Sequence, residues 1–229
     1  MPAGQLPPPP PTAVLFDLDG TLCDSEAGIV EHLGMALATV GLPVPDRDVL
    51  RTCVGPAWTD GFPPAVGVPA DRTGDVIHAY RRTYDDAAAS LAVPFVGITD
   101  VLDRLAGAGI PMAVATSKPQ HLADRIVTEG ILGRWMDVVV GADPDAGRHS
   151  KADSVGGALL GLGPGVARSG VVMVGDRLHD VHGAAAHGLP TVGVRWGSAD
   201  PGELTAAGAA AVVDTPAELA DLLLGASSS

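Results

Sequence analysis

Four aspartates stand in two short groups, and each group follows a run of apolar residues. Asp17 and Asp19 follow one run, and Asp176 and Asp180 follow another. Turn or helix capping accounts well for a single aspartate, but poorly for two such pairs placed after strands. Carboxylates that share a cleft raise each other's pKa unless a cation compensates their charge. Oxygen ligands of this kind suit Mg²⁺, so the pattern predicts a magnesium site.

The lysines form a second signal. The chain has only two, Lys118 and Lys151, against twelve arginines. Because a lysine is a compact and rotatable point charge, one that is retained in such a chain can be needed at a particular place. Lys118 follows Thr116 and Ser117 after another apolar run, and either a cation in the site or a residue on its rim is compatible with that position. Lys151 opens a predicted helix after the third of the predicted strands.

Short apolar runs predict six buried strands, with helical patterns between them. The strands are predicted at residues 13–16, 111–116, 136–140, 171–175, 191–194 and 211–213. The alternating helices are predicted at residues 98–108, 120–130, 152–162, 179–188 and 216–224. This alternation predicts an α/β fold with a Rossmann-like parallel sheet that is covered on both faces. Ligands bind beyond the carboxyl ends of such strands, which is where the aspartates lie.

The segment 25–94 interrupts the alternation. It has helical patterns near residues 26–40, 46–53 and 72–90 and no convincing strand, which predicts an all-helical domain inserted after the first strand. The predicted organisation is a disordered, proline-rich lead-in at 1–12, an α/β core at 13–24 and 95–225, and the helical insertion at 25–94.

The composition restricts the partners. The formal net charge is −13, so we expect no binding to nucleic acid or to an anionic membrane surface. No apolar run reaches the roughly 18 residues of a spanning helix, and the lead-in lacks the pattern of a signal peptide. Cys23 and Cys53 predict neither a disulfide framework nor a zinc site. A cytoplasmic protein is the expectation.

Four segments together resemble the motifs of haloacid dehalogenase (HAD) superfamily phosphatases, specifically the phosphoglycolate-phosphatase-like branch. In chain order they are FDLDGTL (16–22), VATSKP (114–119), KAD (151–153) and VGDRLHD (174–180). The similarity extends over nearly the whole chain. It implies that the insertion at 25–94 is a helical cap domain, which closes over the site and contacts the leaving group.

The resemblance also implies catalytic roles. Asp17 is similar to the family nucleophile, which attacks phosphorus and forms an aspartyl phosphate. Asp19 resembles the general acid–base, which protonates the leaving alkoxide and then deprotonates the attacking water. Lys151 resembles the cation that offsets charge on the phosphoryl oxygens and on Asp17.

Further residues match the binding positions of the family. Thr116 and the Ser117 backbone resemble the phosphate-orienting motif, and Gly20 allows a tight backbone turn beside them.

The magnesium ligands implied by the resemblance are the Asp17 carboxylate, the Asp19 carbonyl and the Asp176 carboxylate. Asp180 is implied to act through a coordinated water. The cofactor implied is therefore Mg²⁺.

Two details separate the chain from relatives with other chemistry. Dehalogenases lack the second acidic residue, because a halide leaves without a proton, so Asp19 favours phosphate. Sugar-phosphate mutases usually carry Val or Ile where this chain has Thr21, which favours a hydrolase. The leading hypothesis is a magnesium-dependent phosphomonoesterase that acts on a small phosphorylated metabolite such as phosphoglycolate. The alternatives are a 5'-nucleotidase, a sugar-phosphate phosphatase or mutase, and a catalytically idle protein that binds a phospho-metabolite. A monomer and a homodimer are both compatible with the sequence.

Some positions in the predicted cap leave alternatives open. Gly55 and Pro56 lie where similar phosphatases place a loop that faces the site. Arg51, Trp58 and Phe62 are candidates for substrate contact, but a solvated helix charge and two packed aromatics are the favoured interpretations.

Outside the cap, Arg177 is expected in an ion pair or on the surface, and no role follows for Trp196 and Gly197. Three histidines of one predicted helix are expected to be ordinary core or surface residues: His179, His182 and His187.

Overall fold

The strands form one large sheet and one small one in the structure, a computed structural model that describes residues 5–54, 58 and 62–225. In chain order they are β1 (Ala13–Phe16), β2 (Cys23–Asp24), β3 (Val93–Pro94), β4 (Met112–Pro119), β5 (Val138–Ala142), β6 (Val171–Gly175), β7 (Thr191–Val194) and β8 (Ala211–Val213). The six-stranded sheet has the order β5-β4-β1-β6-β7-β8, and all its pairs are parallel.

The helices alternate with these strands much as the sequence patterns predict. They are α1 (Glu26–Thr39), α2 (Arg47–Arg51), α3 (Thr73–Leu91), α4 (Ile98–Gly107), α5 (Gln120–Glu129), α6 (Lys151–Gly161), α7 (Leu178–Ala185), α8 (Glu203–Ala207) and α9 (Pro216–Leu224). The predicted α/β fold is confirmed. No helix in the described part of the chain is long and apolar enough to cross a membrane.

Both faces of the large sheet are buried. In β1, Val14 and Phe16 belong to one hydrophobic cluster, which also contains side chains from α4, α5 and α9. Ala13 and Leu15 point the other way, into a second cluster with side chains from α6 and α7. Successive side chains of a strand alternate between faces, so a strand that is covered on both faces is apolar at every position.

The helical segment predicted between residues 25 and 94 is present as α1, α2 and α3. Helix α1 buries Leu33 and Leu37, and α3 buries Tyr84 and Ala88, all in the cluster that also lines one face of the sheet. Cooperative packing of these apolar side chains therefore joins the helices to the core.

A short antiparallel ribbon closes the insertion. Cys23 pairs with Pro94 and Asp24 with Val93, so β2 and β3 tie the two ends of the helical segment together. The prediction of no strand in this segment is wrong at residues 93–94. Two-residue strands carry no readable period, so only the pairing reveals them.

The lead-in reaches the core before β1 begins. Leu6 packs against the large hydrophobic cluster, and the Thr12 amide donates to the Gly170 carbonyl at 2.9 Å. The disorder predicted for residues 1–12 stays a prediction, and residues 1–4 lie outside the described part.

Candidate active site

Three aspartates meet where β1 and β6 end. Asp17 follows β1, while Asp176 and Asp180 follow β6, the parallel neighbour of β1. One carboxylate oxygen from each can be chosen so that all three lie within 4.8 Å of one another. Asp17 is 7% exposed, and Asp176 and Asp180 are each 1% exposed. Parallel strands carry their carboxyl ends to the same edge of the sheet, which explains how residues so distant in sequence converge.

Burial makes charge unfavourable in this cluster. Burial raises the pKa of Asp17 to about 6, against the opposing effect of Lys151 and with a further increase from Asp180. The pKa of Asp176 is also raised well above its usual value, first by burial and then by the charges of Asp180 and Asp17. Desolvation and like-charge repulsion act in the same direction here.

Lys151 supplies one positive charge to the cluster. Its Nζ lies 2.7 Å from Asp17 Oδ1 and 2.6 Å from Asp180 Oδ1. Burial alone would lower the pKa of this ammonium, but the two carboxylates outweigh it and raise the pKa to about 12. Lys151 is therefore charged at neutral pH.

The position of Lys151 depends on how α6 begins. Ser150 and Asp153 form a capping box, in which the Ser150 amide donates to Asp153 Oδ2 at 2.8 Å and the Asp153 amide to Ser150 Oγ at 3.2 Å. A capping box satisfies free amides of the first turn and so determines where the helix starts. Lys151, as the first helical residue, is directed at the aspartates.

The donor set fits a magnesium ion. Three buried carboxylates share the single ammonium of Lys151. Asp17 Oδ1 and Asp180 Oδ1 accept no hydrogen bond of good geometry from any residue that the structure describes, although Lys151 Nζ is close to both. Carboxylate oxygens with spare lone pairs, in a site with more negative than positive charge, suit a hard divalent cation.

Two glycines allow the close packing around Asp176. Gly20 has φ +80°, and a Cβ at this position would overlap the Asp176 carboxylate. A Cβ at Gly197 would overlap both the Gly20 carbonyl and the Asp176 side chain. The predicted tight turn at Gly20 is therefore present, and it lies against Asp176.

The segment after β7 also binds Asp176. The sequence did not predict this contact. The Ser198 amide donates to Asp176 Oδ2 at 2.7 Å, and Thr21 Oγ1 donates to Asp176 Oδ1 at 3.2 Å. Trp196 Nε1 in turn donates to the Thr21 carbonyl at 3.0 Å. A signal was available, because this segment follows the carboxyl end of the predicted strand 191–194.

The Asp19 carboxylate makes its contacts outside the three-aspartate cluster. Lys118 Nζ lies 3.0 Å from its Oδ1 and 2.7 Å from its Oδ2, and Ser25 Oγ also donates to Oδ1. Lys118 is only 8% exposed, so the alternative that placed it on the rim is wrong. Burial would lower the pKa of Lys118, but Asp19 and the Tyr84 hydroxyl raise it above its usual value.

A cleft connects these groups with the helical insertion. Thr116 and Ser117, at the end of β4, line it together with Asp17 and Asp19. The Thr116 hydroxyl accepts a hydrogen bond from the Lys118 amide at 3.2 Å. The structure thus brings the predicted phosphate-orienting residues to the predicted nucleophile and acid–base.

The opposite wall of the cleft is largely apolar. It contains aromatic and aliphatic side chains from the helical insertion and α5: Ile29, Trp58, Ile77, Tyr80, Tyr84 and Leu122. The Trp58 and Tyr80 rings meet edge to face with centroids 4.6 Å apart, and the Tyr80 and Tyr84 rings stack at 4.7 Å. Trp58 also packs on Phe62 at 5.1 Å. Trp58 therefore belongs both to the packed aromatics and to the cleft wall.

The remaining candidates have ordinary partners. Arg51 forms an exposed ion pair with Glu26 at 2.9 Å, and Arg177 pairs with Glu203 at 2.9 Å. His187 Nε2 lies 2.8 Å from the Ala152 carbonyl oxygen. The predicted loop residues Gly55 and Pro56 lie outside the described residues.

The parallel α/β sheet thus carries three buried carboxylates and a lysine beyond the carboxyl ends of its strands, which is where enzymes of this fold class bind their ligands. The family model described as "Haloacid dehalogenase-like hydrolase" matches residues 14–194. The chain therefore belongs to the haloacid dehalogenase-like hydrolase family, and the recognition from its four motifs is confirmed.

Three proteins show how this chain compares with its relatives in sequence. The chain is 43% identical over 187 residues to the tyrosine-protein kinase PtkA of Mycobacterium tuberculosis. The aligned region covers 82% of this chain and 63% of PtkA. The solved structure of PtkA superposes with a TM-score of 0.78 at 38% identity, covering 93% of this chain and 98% of that one. The present chain thus spans less than two thirds of the full PtkA sequence.

The other two relatives are named for phosphate hydrolysis. A 5'-nucleotidase of Pseudomonas aeruginosa is 33% identical over 84% of this chain and 86% of its own length. A phosphoglycolate phosphatase of Cupriavidus necator is 33% identical over 93% of this chain and 94% of its own length. These names agree with the predicted phosphatase class of enzyme.

Proposed function

We propose that the protein is a magnesium-dependent phosphomonoesterase that acts on a small phosphorylated metabolite through an aspartyl phosphate. One observation carries the proposal: Asp17 follows β1 and lies beside Lys151 and two further buried carboxylates, and it lines the same cleft as Asp19 and Thr116. A nucleophile, an acid–base group and phosphate-binding positions are thereby within one site.

In the first step, an Asp17 carboxylate oxygen forms a bond to phosphorus as the ester P–O bond breaks. Asp19, in its protonated form, gives its proton to the departing alkoxide. In the second step, Asp19 takes a proton from water, the resulting hydroxide bonds to phosphorus, and the bond from phosphorus to Asp17 breaks. Inorganic phosphate leaves and both carboxyl groups return to their starting state.

Charge in this reaction is balanced by the groups around Asp17. Lys151 offsets the negative charge of the phosphoryl oxygens and of the Asp17 carboxylate. Asp17, Asp176 and the Asp19 carbonyl would hold a magnesium ion, with Asp180 acting through a coordinated water. The bound ion supplies Lewis-acid stabilisation of the phosphoryl oxygens.

The cleft wall supports one substrate class over another. Phosphoglycolate, nucleoside 5'-monophosphates and sugar phosphates are all candidates, and relatives named for the first two support both. The aromatic and aliphatic side chains that line the cleft favour a leaving group with a large, partly apolar ring. A ring-bearing phosphate is therefore preferred to phosphoglycolate.

A second candidate function is transfer of the phosphoryl group to a hydroxyl acceptor other than water. The 43% identity to a relative named tyrosine-protein kinase favours it. The first step would be unchanged, and a phenol or sugar hydroxyl would replace water in the second.

The proposal for the cellular setting rests on the charge of the chain. The charge of −13 supports a small-molecule partner in preference to nucleic acid or a membrane surface. A cytoplasmic location and a monomeric or homodimeric state are proposed with it.

The test is phosphate release from an aryl phosphate and a metabolite panel, with Mg²⁺ and with chelator. The panel contains phosphoglycolate, nucleoside monophosphates and sugar phosphates. We expect turnover that requires Mg²⁺ and that Asp17→Asn lowers by about 10³-fold or more. Asp24→Asn, an exposed aspartate on β2, is the matched control and should retain activity.

Two outcomes would change the proposal. Folded protein that releases no phosphate from any substrate with Mg²⁺ present would contradict the phosphatase function. Transfer of labelled phosphate to a phenolic or sugar acceptor at a rate above that of water would favour the second candidate.

A further inference from the structure

Each of the two lysines of the chain contacts one of the two predicted catalytic aspartates. Lys151 contacts Asp17, and the mechanism above uses it. Lys118 contacts Asp19, and the mechanism leaves it without a role. The chain has twelve arginines and only two lysines, so a lysine at this buried position needs an explanation.

Lys118 is enclosed by partners from two other segments of the chain. It lies near the end of β4 and contacts both carboxylate oxygens of Asp19, which follows β1. Its other partner is the Tyr84 hydroxyl of α3, at 3.2 Å from Nζ. The Lys118 side chain is 5% exposed and that of Asp19 is 11% exposed. A buried ammonium needs such partners, because an unpaired charge in this environment is strongly destabilising.

The Tyr84 hydroxyl is itself held in place. Tyr84 is fully buried, its ring stacks on Tyr80 at 4.7 Å, and the His32 ring meets its edge at 5.6 Å. Its position therefore depends on how α1 and α3 pack. The contact from Tyr84 to Lys118 is a direct link between the helical insertion and the acid–base residue.

The contact between Tyr84 and Lys118 affects the orientation of the Asp19 side chain. A free aspartate side chain rotates between several rotamers. With both oxygens engaged by Lys118 and one also by Ser25, Asp19 retains one orientation. Proton transfer needs the acid–base group within hydrogen-bond reach of its target, so orientation determines its efficiency.

We propose that Lys118, held by the Tyr84 hydroxyl, is a positioning residue that sets the orientation of Asp19, so that the packing of the inserted helices controls the acid–base group. The inference rests on the proposed function, because it assigns Lys118 to the same reaction. The competing role for Lys118 is direct binding of the substrate phosphate.

Two substrates separate the roles of Asp19. 4-Nitrophenolate leaves without protonation, so formation of the aspartyl phosphate from 4-nitrophenyl phosphate barely depends on Asp19. Hydrolysis of the aspartyl phosphate still needs Asp19 as base. A poorly oriented Asp19 therefore predicts a rapid release of about one equivalent of nitrophenolate per site, followed by slow turnover. An alkyl phosphate such as glycerol phosphate predicts slower release without this first phase.

The variant that tests the link is Tyr84→Phe, which keeps the ring and its stacking and removes only the hydroxyl. We expect kcat to fall about 10-fold with KM within about 2-fold, and the first phase with 4-nitrophenyl phosphate to appear. Lys118→Met should show the same pattern with a larger decrease in kcat. Ser90→Ala, which removes an exposed hydroxyl near the end of α3 that, among the described residues, bonds only the Ala87 carbonyl, is the matched control and should resemble wild type.

The outcomes are distinguishable. A raised KM with unchanged kcat in Tyr84→Phe or Lys118→Met would assign Lys118 to phosphate binding and overturn the inference. Wild-type kinetics in a folded Tyr84→Phe would also overturn it, even if Lys118→Met fails to fold. Inactive wild type would overturn the proposed function together with the inference, whereas an active wild type leaves the function in place.

Discussion

Gly197 provides the sharpest test of how the site is built. It has no chemical group to contribute, yet a Cβ at this position would overlap the Gly20 carbonyl and the Asp176 carboxylate. The Gly20 carbonyl belongs to the backbone of the first motif, so it cannot avoid the new methyl group by a rotamer change. Gly197→Ala must displace either the segment after β7 or the turn that follows β1.

The cost follows from this overlap. Overpacking by one methyl group in a well-packed region costs about 1–3 kcal/mol. For a chain of this size each kcal/mol lowers Tm by roughly 2–4 °C, so we expect a decrease of roughly 2–12 °C. Displacement of a metal-binding carboxylate by its surroundings commonly weakens metal affinity 10–100-fold. We therefore expect the Mg²⁺ concentration for half-maximal effect to rise about 10–100-fold.

The assay is thermal unfolding of Gly197→Ala with and without Mg²⁺, together with an Mg²⁺ titration of activity. Gly165→Ala is the matched control, because a Cβ there meets nothing within 4 Å and φ is not positive. A Gly197→Ala protein with wild-type Tm and wild-type Mg²⁺ dependence would refute the argument, since it would show that the packing around Asp176 tolerates the extra methyl group.

Two further predictions concern Lys151 and the helix start that places it. In the metal-free protein, Lys151→Met should raise the pKa of the Asp17 carboxyl above about 6, because the ammonium opposes the effect of burial; carbon NMR titration measures this. Asp153→Asn should lower the free energy of unfolding by about 0.5 kcal/mol at pH 7, since the group is exposed and solvent screens its charge. Hydrogen bonds from Ser150 and His149 lower the pKa of Asp153 in the folded state below 3.8. Its stabilising effect is therefore present above the unfolded pKa and disappears as the pH falls through the folded value, which urea unfolding at pH 7 and pH 3 would measure.

Lys151→Met and Asp153→Asn each have a matched control. Lys151→Arg keeps the charge and should leave the pKa of Asp17 closer to that of wild type. Asp145→Asn, on an exposed turn, controls for the loss of one acidic group. An unchanged Asp17 pKa in Lys151→Met, or a stability difference in Asp153→Asn that is equal at both pH values, would contradict the respective reasoning.

Most of the fold was predictable from sequence because its signals are local. Strands β1, β6, β7 and β8 and helix α9 have the predicted bounds, since a strand that is covered on both faces is apolar at each position and its neighbours end it with Gly, Asp or Pro. Strand β4 continues to Pro119, beyond the predicted end. Its last residues are polar and lie in the site, so hydropathy could not assign them to a strand.

Part of the candidate site was also predictable from the sequence. That Asp17 and Asp176 share one edge of the sheet was predictable, because parallel strands point their carboxyl ends in one direction. The order of the four motifs led to the family without knowledge of any contact. Neither argument needed a distance between two side chains.

Only the tertiary structure decided which side chains share a partner. It placed Lys118 between Asp19 and Tyr84, brought Ser198 to Asp176 and paired β2 with β3. Each of these contacts joins segments that are separated in sequence, and each depends on how helices and loops pack against the sheet. Periodicity and motif spacing report the preferences of one segment at a time. They therefore determine the elements and the edge where chemistry takes place, whereas contacts between segments arise only when the whole chain is packed.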